Sequence, residues 1–489
     1  MRPILITARV TPTIHRHLPI LKHNAFTSCR RRPMLFQRCI VTTPVVASNW
    51  HWNSLIDFES PSKSTNIDYP ALTASQAAHF KTPPTQVKML VRDFIDDSLY
   101  NPHYGYFSKQ AVIFSPETDF DFNGLRDNNA FMRLLSRKYQ EIEDDVDETD
   151  DIARQVWHTP TELFKPWYGY ALAKYMVTEY KLNLYPHRDL VIYEIGAGNG
   201  TLMLNILDYI QRHEPSVYER TRYKIIEISS KLAERQATRH DIRGVLNRHH
   251  CVEIINRSIF DWDIYVPDPC FFLAMEVIDN FAHDLLRYDA DTEAPYQGMV
   301  AIDESGDYHE FYEPLHDPLI HRYLSLRRQT LYRTPVLHNR FMRRLRSKLP
   351  FAPNMTEAEF LPTKLLLFLE NLREHFPQHR LLISDFDRLP DTIQGVDAPV
   401  VQTRYRRTMV PCSTYMVQPG WFDIFFPTNF ELMRDIYHLV CRPSQADSTI
   451  KIMTHREFLE RYADLERTST RSGENPMLEF YGNHKFLCS

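Results

Sequence analysis

A chain of 489 residues with 43% apolar side chains can fill a sizeable core, which excludes a disordered or fibrous protein. Its formal net charge of -5 gives no electrostatic ground for general binding of nucleic acid or an anionic membrane. The seven cysteines include no C-x-x-C pair and no zinc-like Cys/His spacing, so free thiols in a reducing compartment are expected, with no metal centre.

In chain order, the first signal is charge. Between Met1 and Ile56 lie eight basic residues, Arg2, Arg9, Arg16, Lys22, Arg30, Arg31, Arg32 and Arg38, and the first acid is Asp57. An Arg-rich, acid-free stretch with Ser and Thr has the character of a mitochondrial transit peptide, processed after Ile40, and predicts the mitochondrial matrix; a basic RNA-binding arm is the alternative. Without that leader 49 basic residues face 62 acidic ones, a balance of -13 that disfavours nucleic acid as a partner. Residues 41–83 read as a linker, and order is expected from Pro84.

Met89, Leu90, Phe94, Ile95 and Leu99 follow one helical face until Asn101-Pro102 stops it, and Tyr104 to Phe107 read as an aromatic hairpin or loop. Glu141 to Asp151, with eight acids in eleven residues, reads as a solvated loop. Thr159-Pro160-Thr161-Glu162 supplies a cap, a proline and an early carboxylate to an aromatic helix through Tyr175. Apolar runs at Leu190 to Glu194, Tyr223 to Ile228, Val252 to Ile255 and Phe271 to Met275 then alternate with helical spacings at Leu202 to Ile210 and Lys231 to Thr238. Strands without a wet face alternating with helices predict an α/β fold, a parallel sheet covered on both sides. Residues 283–375 break the rhythm. Their helical stretches, Arg340 to Lys348 and Thr363 to His375, predict a helical insertion before a strand at Leu381 to Asp385. No window of 18 apolar residues occurs, and the run Leu365 to Leu369 ends at Glu370, so no membrane span is expected.

The chemistry concentrates in Glu194-Ile195-Gly196-Ala197-Gly198-Asn199-Gly200-Thr201, where a buried strand runs into a glycine turn and then a helix. Glycine permits positive φ and lets a ligand lie against the backbone, while the helix start offers free N–H groups. A nicotinamide site needs glycine at the sixth position of its motif, and that position is Thr201. The opening acid would repel a diphosphate but suits a cationic sulfonium amino acid, which predicts S-adenosylmethionine as cofactor. Glu227, at the end of the second strand, is placed to accept ribose hydroxyls, and Asp261 beside Phe260 to accept from an adenine amino group. Glu276 ends the fourth strand and Asp279 follows one turn later, so four acids appear in order at successive strand ends and form one expected pocket.

The ordered set of motifs resembles the MidA family, of the DUF185 type. The resemblance is carried by Phe94-Ile95 with Leu99-Tyr100-Asn101-Pro102-His103-Tyr104-Gly105-Tyr106, by Thr159-Pro160-Thr161-Glu162 with Gly169, and by Gly196 through Met203. Glu227-Ile228-Ser229, Glu276 with Asp279, Leu382 to Phe386, Pro419-Gly420 with Asp423, and Met453 through Leu459 complete it. Met275, Pro427 and Asn429 stand where the family has Asn, His and Asp. The resemblance implies a class I methyltransferase, with a Rossmann-like seven-stranded sheet, helices on both faces and a helical insertion in a domain from residue 84 to 489. It adds Thr159 to the cofactor residues Glu194, Gly196, Gly198, Gly200, Glu227 and Asp261. It further implies symmetric dimethylation of arginine on a protein substrate, a respiratory complex I subunit, during assembly; for that acceptor Glu276 and Asp279 are the expected catalytic pair, holding the guanidinium bidentately and polarising one nitrogen. The alternative is a non-catalytic assembly or binding protein on the same fold.

Overall fold

The strand that leads into the glycine turn lies at the centre of the main sheet. In the computed structural model, which describes residues 68–489 apart from 110–111, 117, 150–155, 230–248, 339–353, 391, 406–407 and 443–449, seven strands form this sheet. They are β1 (Leu190–Ile195), β2 (Thr221–Glu227), β3 (Val252–Asn256), β4 (Cys270–Met275), β5 (His379–Phe386), β6 (Lys451–Thr454) and β7 (His484–Cys488), in the order β3-β2-β1-β4-β5-β7-β6. The first five run parallel, and β7 is antiparallel to both neighbours. Parallel neighbours require crossovers, and these put helices on both faces.

Alternation along the strands divides the core. Ile192, Phe271, Leu273 and Leu382 face helices Trp167–Asn183, Thr201–His213 and His455–Tyr462. Tyr193, Ile195, Phe272, Ala274 and Ile383 face helices Pro318–Gln329, Thr363–His375 and Phe430–Cys441. Each fully buried large side chain, such as Phe272, contributes roughly 1.5–3 kcal/mol. The strand order reverses between β1 and β4, and such a reversal opens a crevice at the carboxyl ends of the strands.

Four expectations are corrected. Order begins before Pro84: Thr73 and Gln76 form a capping box on the turn Ala74–Ala77, and Ala71 bridges to Lys88. These bonds satisfy backbone groups that a polar stretch leaves invisible to periodicity. Val87–Leu90 is a strand rather than the start of a helix, because it pairs with Pro295–Ile302; the helix is Val91–Tyr100. Glu141 to Thr149 of the acidic run lie in the helix Asn128–Thr149, whose first turns are held by buried Phe131 and Leu135; Asp150 and Asp151 lie outside the described residues. Once nucleated, a helix propagates through like charges at a cost of tenths of a kcal/mol per pair. The insertion is mixed rather than helical throughout: among the described residues it carries four strands beside the helices Pro318–Gln329 and Thr363–His375. Asp284–Tyr288, Pro295–Ile302, Tyr308–Pro314 and Glu359–Leu361 join Val87–Leu90 in an antiparallel sheet, with helix Thr363–His375 where the spacing predicts it. The aromatic segment forms one helical turn at Tyr106–Lys109. The leader, the helix at Lys231 to Thr238 and the stretch Arg340 to Lys348 lie outside the described residues. No helix among the described residues is long and apolar enough to cross a membrane.

Candidate active site

At the carboxyl ends of β1, β2 and β4 a cavity of about 430 Å³ opens, with the glycine turn as its floor. Gly196, Gly198 and Gly200 have φ of 67°, 54° and 76°, a conformation that L side chains rarely adopt. A Cβ on Gly196 would lie 2.9 Å from Val277, and one on Gly198 would lie 2.7 Å from Ile113. Gly196 and Gly198 line the cavity; Gly200 does not, and instead turns the chain into helix Thr201–His213.

Glu194, Glu227, Asp261, Thr159 and Glu276 all line this one cavity. Glu194 is wholly buried and accepts a hydrogen bond from the Tyr223 hydroxyl at 2.8 Å. Burial pushes its carboxyl up to about 7, the Glu227 charge adding to the effect and the Tyr223 hydrogen bond opposing it. Glu227, also buried, accepts from the Ser229 amide at 3.0 Å. Asp261 sits on a single helical turn, Ile259–Asp261, started by Ser258, with the Phe260 ring packed edge-on against Phe281.

The expected catalytic pair is split. Glu276 faces the cavity with its backbone at φ 56°, and its amide donates to Ser384 O at 2.8 Å on the neighbouring strand β5. A left-handed conformation at a non-glycine residue costs of order 1–3 kcal/mol and persists only where its surroundings hold it. Asp279 is fully buried and is not part of the lining. The turn that carries it, Ile278–Asn280, is held by Asp385, whose Oδ2 accepts from the Ile278 and Asp279 amides at 3.0 and 3.1 Å. Asn280 donates to Asp423 and to Ile424 O, both at 3.0 Å, so the short strand Asp423–Phe425 is pinned to the same turn.

Sequence reasoning missed the opposite wall. Asp96, Asp97, Tyr100, Asn101 and Phe107 come from the N-terminal helix and the segment after it, and Lys364 from the insertion. Lys364 Nζ pairs with Asp96 at 2.8 Å and lies 4.3 Å from the centre of the Phe260 ring. Tyr100 stacks on Phe107 at 5.3 Å. Glu162, expected only as an early helix carboxylate, also faces the cavity and bonds to the glycine turn. Only the resemblance flagged the Tyr100 to Tyr106 segment; Lys364 carried no local signal.

Seven carboxylates and two cations, Arg257 and Lys364, line the cavity. Arg257 is paired with Asp263 at 2.5 Å and Lys364 with Asp96, so the unbalanced charge is negative and favours a cationic ligand. A strand-end glycine cradle that a Cβ would fill, a buried acid on β2 and an aromatic-acid turn after β3 fit an adenosyl sulfonium amino acid.

Comparison with known proteins agrees. Residues 171–445 match a family model described as "Putative S-adenosyl-L-methionine-dependent methyltransferase", more than half of the chain. A Schizosaccharomyces pombe protein named "Protein arginine methyltransferase NDUFAF7 homolog, mitochondrial" is 24% identical over 379 residues, 72% of this chain and 76% of its own. A Saccharomyces cerevisiae protein of the same name is 23% identical over 341 residues, 64% of this chain and 76% of its own. The mitochondrial names accord with the destination expected from the Arg-rich leader. A Burkholderia thailandensis structure solved with S-adenosyl-homocysteine shares the fold, with a TM-score of 0.52 and 14% identity over 82% of this chain and 87% of that one. With its sheet order, its glycine turn and this match in agreement, the chain belongs to the S-adenosyl-L-methionine-dependent methyltransferase family, and S-adenosylmethionine is its cofactor.

Proposed function

We propose that this methyltransferase acts in the mitochondrial matrix on an arginine guanidinium of a protein, with symmetric dimethylation of a complex I subunit as its task. The two yeast relatives' names support arginine as the acceptor. The observation that carries the reading is the placement of one buried carboxylate, Glu276, on the cavity wall beside the cofactor cradle. Bound S-adenosylmethionine supplies an electrophilic methyl group on a sulfonium.

The chain's own residues do the rest. Glu227 holds the ribose hydroxyls, Asp261 the adenine amino group, and Glu194, Thr159 and the glycine turn the amino-acid part. Glu276 accepts hydrogen bonds from the guanidinium, aligns one nitrogen and takes up the proton released as it is alkylated. His484 Nε2 lies 3.9 Å from Glu276 Oε1 and supports that carboxylate from behind. Asp279 has a supporting part only: its backbone, bonded to Asp385 and to the Phe426 amide, fixes the turn.

A labelled-methyl assay on arginine-containing mitochondrial protein tests the reading. Glu276→Gln is expected to lower transfer by about 100-fold or more while calorimetry shows unchanged cofactor affinity. Undiminished transfer by the variant removes Glu276 from the mechanism. Binding without any methylated product in the wild type favours the non-catalytic alternative, and mass spectrometry of mitochondrial protein with and without this chain identifies the acceptor.

A further inference from the structure

The glycine turn does not hold its shape alone. Its two polar side chains, Asn199 and Thr201, both turn to one carboxylate: Thr201 Oγ1 donates to Glu162 Oε1 at 2.8 Å, and Asn199 Nδ2 donates to the same oxygen at 3.1 Å. Glu162 Oε2 accepts from Ser115 Oγ at 2.9 Å and lies 3.4 Å from Lys165 Nζ. The residue is 2% exposed, and its amide donates to Thr159 Oγ1 at 3.3 Å, which seats Thr159 on the cavity wall. One buried carboxylate therefore ties three stretches together: the segment at Ser115, the short helix Pro160–Leu163 and the cofactor turn.

We infer that Glu162 is a positioning residue for the methyl donor, acting through the side chains of Asn199 and Thr201. The left-handed backbone at Gly196, Gly198 and Gly200 is conformationally soft, because glycine has many alternatives in the absence of a restraint. A charged acceptor shared by two donors on the turn selects the single shape in which the cradle is open. Hydrogen bonds to a buried charge are among the strong ones, so their loss is felt as a population of turns unable to receive ligand. Helix initiation alone does not explain the arrangement. Thr159 already caps Pro160–Leu163, and both Glu162 oxygens point away from that cap to other segments.

The test uses the full chain and two probes, S-adenosylmethionine and S-adenosyl-homocysteine, titrated by calorimetry, with a thermal melt of each variant. Glu162→Ala is expected to weaken both ligands by roughly 10- to 100-fold, the loss of one to two charged hydrogen bonds. Glu162→Gln, which restores an acceptor for Thr201, is expected to recover most of that affinity. A purely structural role would lower the melting temperature of Glu162→Ala and leave its affinity for both ligands at the wild-type value, and that result overturns the inference. If Glu162→Ala fails to fold, the double variant Asn199→Ala/Thr201→Val, which keeps the carboxylate and removes both of its donors on the turn, decides: weakened affinity for both ligands supports action through these side chains, and wild-type affinity overturns it.

Discussion

Replacing Gly420 with alanine should cost far more than the same change at Gly306, although both residues have φ near 80°. At Gly306, with φ 83°, a new Cβ meets nothing within 4 Å, so only the left-handed penalty of roughly 1–2 kcal/mol applies. At Gly420, with φ 82°, the Cβ would stand 1.7 Å from the backbone oxygen of Tyr104. A carbonyl cannot rotate aside as a side chain can, so the two segments must separate by roughly 1.3 Å to reach tolerable contact. Separation breaks the bond from the Gly420 amide to Ser98 O, now 3.0 Å, worth about 0.5–1.5 kcal/mol, and adds an overpacking cost of roughly 1–3 kcal/mol. Gly420→Ala is therefore expected to lose about 3–6 kcal/mol against 1–2 for Gly306→Ala. Urea denaturation followed through Trp421, the half-exposed neighbour, reads the difference. Equal losses at the two positions would refute the reasoning that the Tyr104 carbonyl leaves no room for a side chain at Gly420.

The buried Glu194 should make stability depend on pH. Its folded carboxyl, near 7, lies above the ordinary value of 4.5, so the stability it lends is complete below about pH 4.5 and disappears as pH rises through 7. Glu194→Gln should therefore flatten the decline in melting temperature between about pH 5 and pH 8; identical slopes would remove Glu194 as its source. In the insertion, Arg327 reaches both oxygens of buried Glu359 at 3.0 and 3.2 Å, and Tyr288 donates to the same carboxylate. Arg327→Ala strands that charge and should cost about 3–5 kcal/mol in denaturant unfolding, with much of the loss recovered by Arg327→Met/Glu359→Leu. A double variant no better than the single would argue against a stranded charge.

The central sheet was legible because its signals are local. Val191 to Ile195, Cys270 to Met275 and Leu381 to Ile383 are continuous apolar runs, and the glycine turn follows the first without a gap. The residues proposed to hold the cofactor cluster for the same reason: Glu194 and Glu227 lie at the ends of β1 and β2, Gly196 and Gly198 follow β1, and Asp261 follows β3. The antiparallel sheet was not, since Val87 pairs with Ile302 and Glu359 with Leu286, and no window of neighbouring residues contains such a pairing. Asp279 was misplaced because spacing from Glu276 suits a shared face only if the intervening turn is regular. Here the positive φ at Glu276 and the pull of Asp385 rotate Asp279 into the core. Glu162 satisfied a capping pattern, and a residue that satisfies one role in sequence conceals a second that only tertiary proximity creates.

The contact between Gly420 and Tyr104 also imposes an order of events. The turn that cradles the donor is synthesised long before the loop at Pro419-Gly420, yet the wall containing Tyr100 and Phe107 has its seat only after that loop has arrived. A nascent chain thus carries its recognition loop for hundreds of residues without a closed compartment around it.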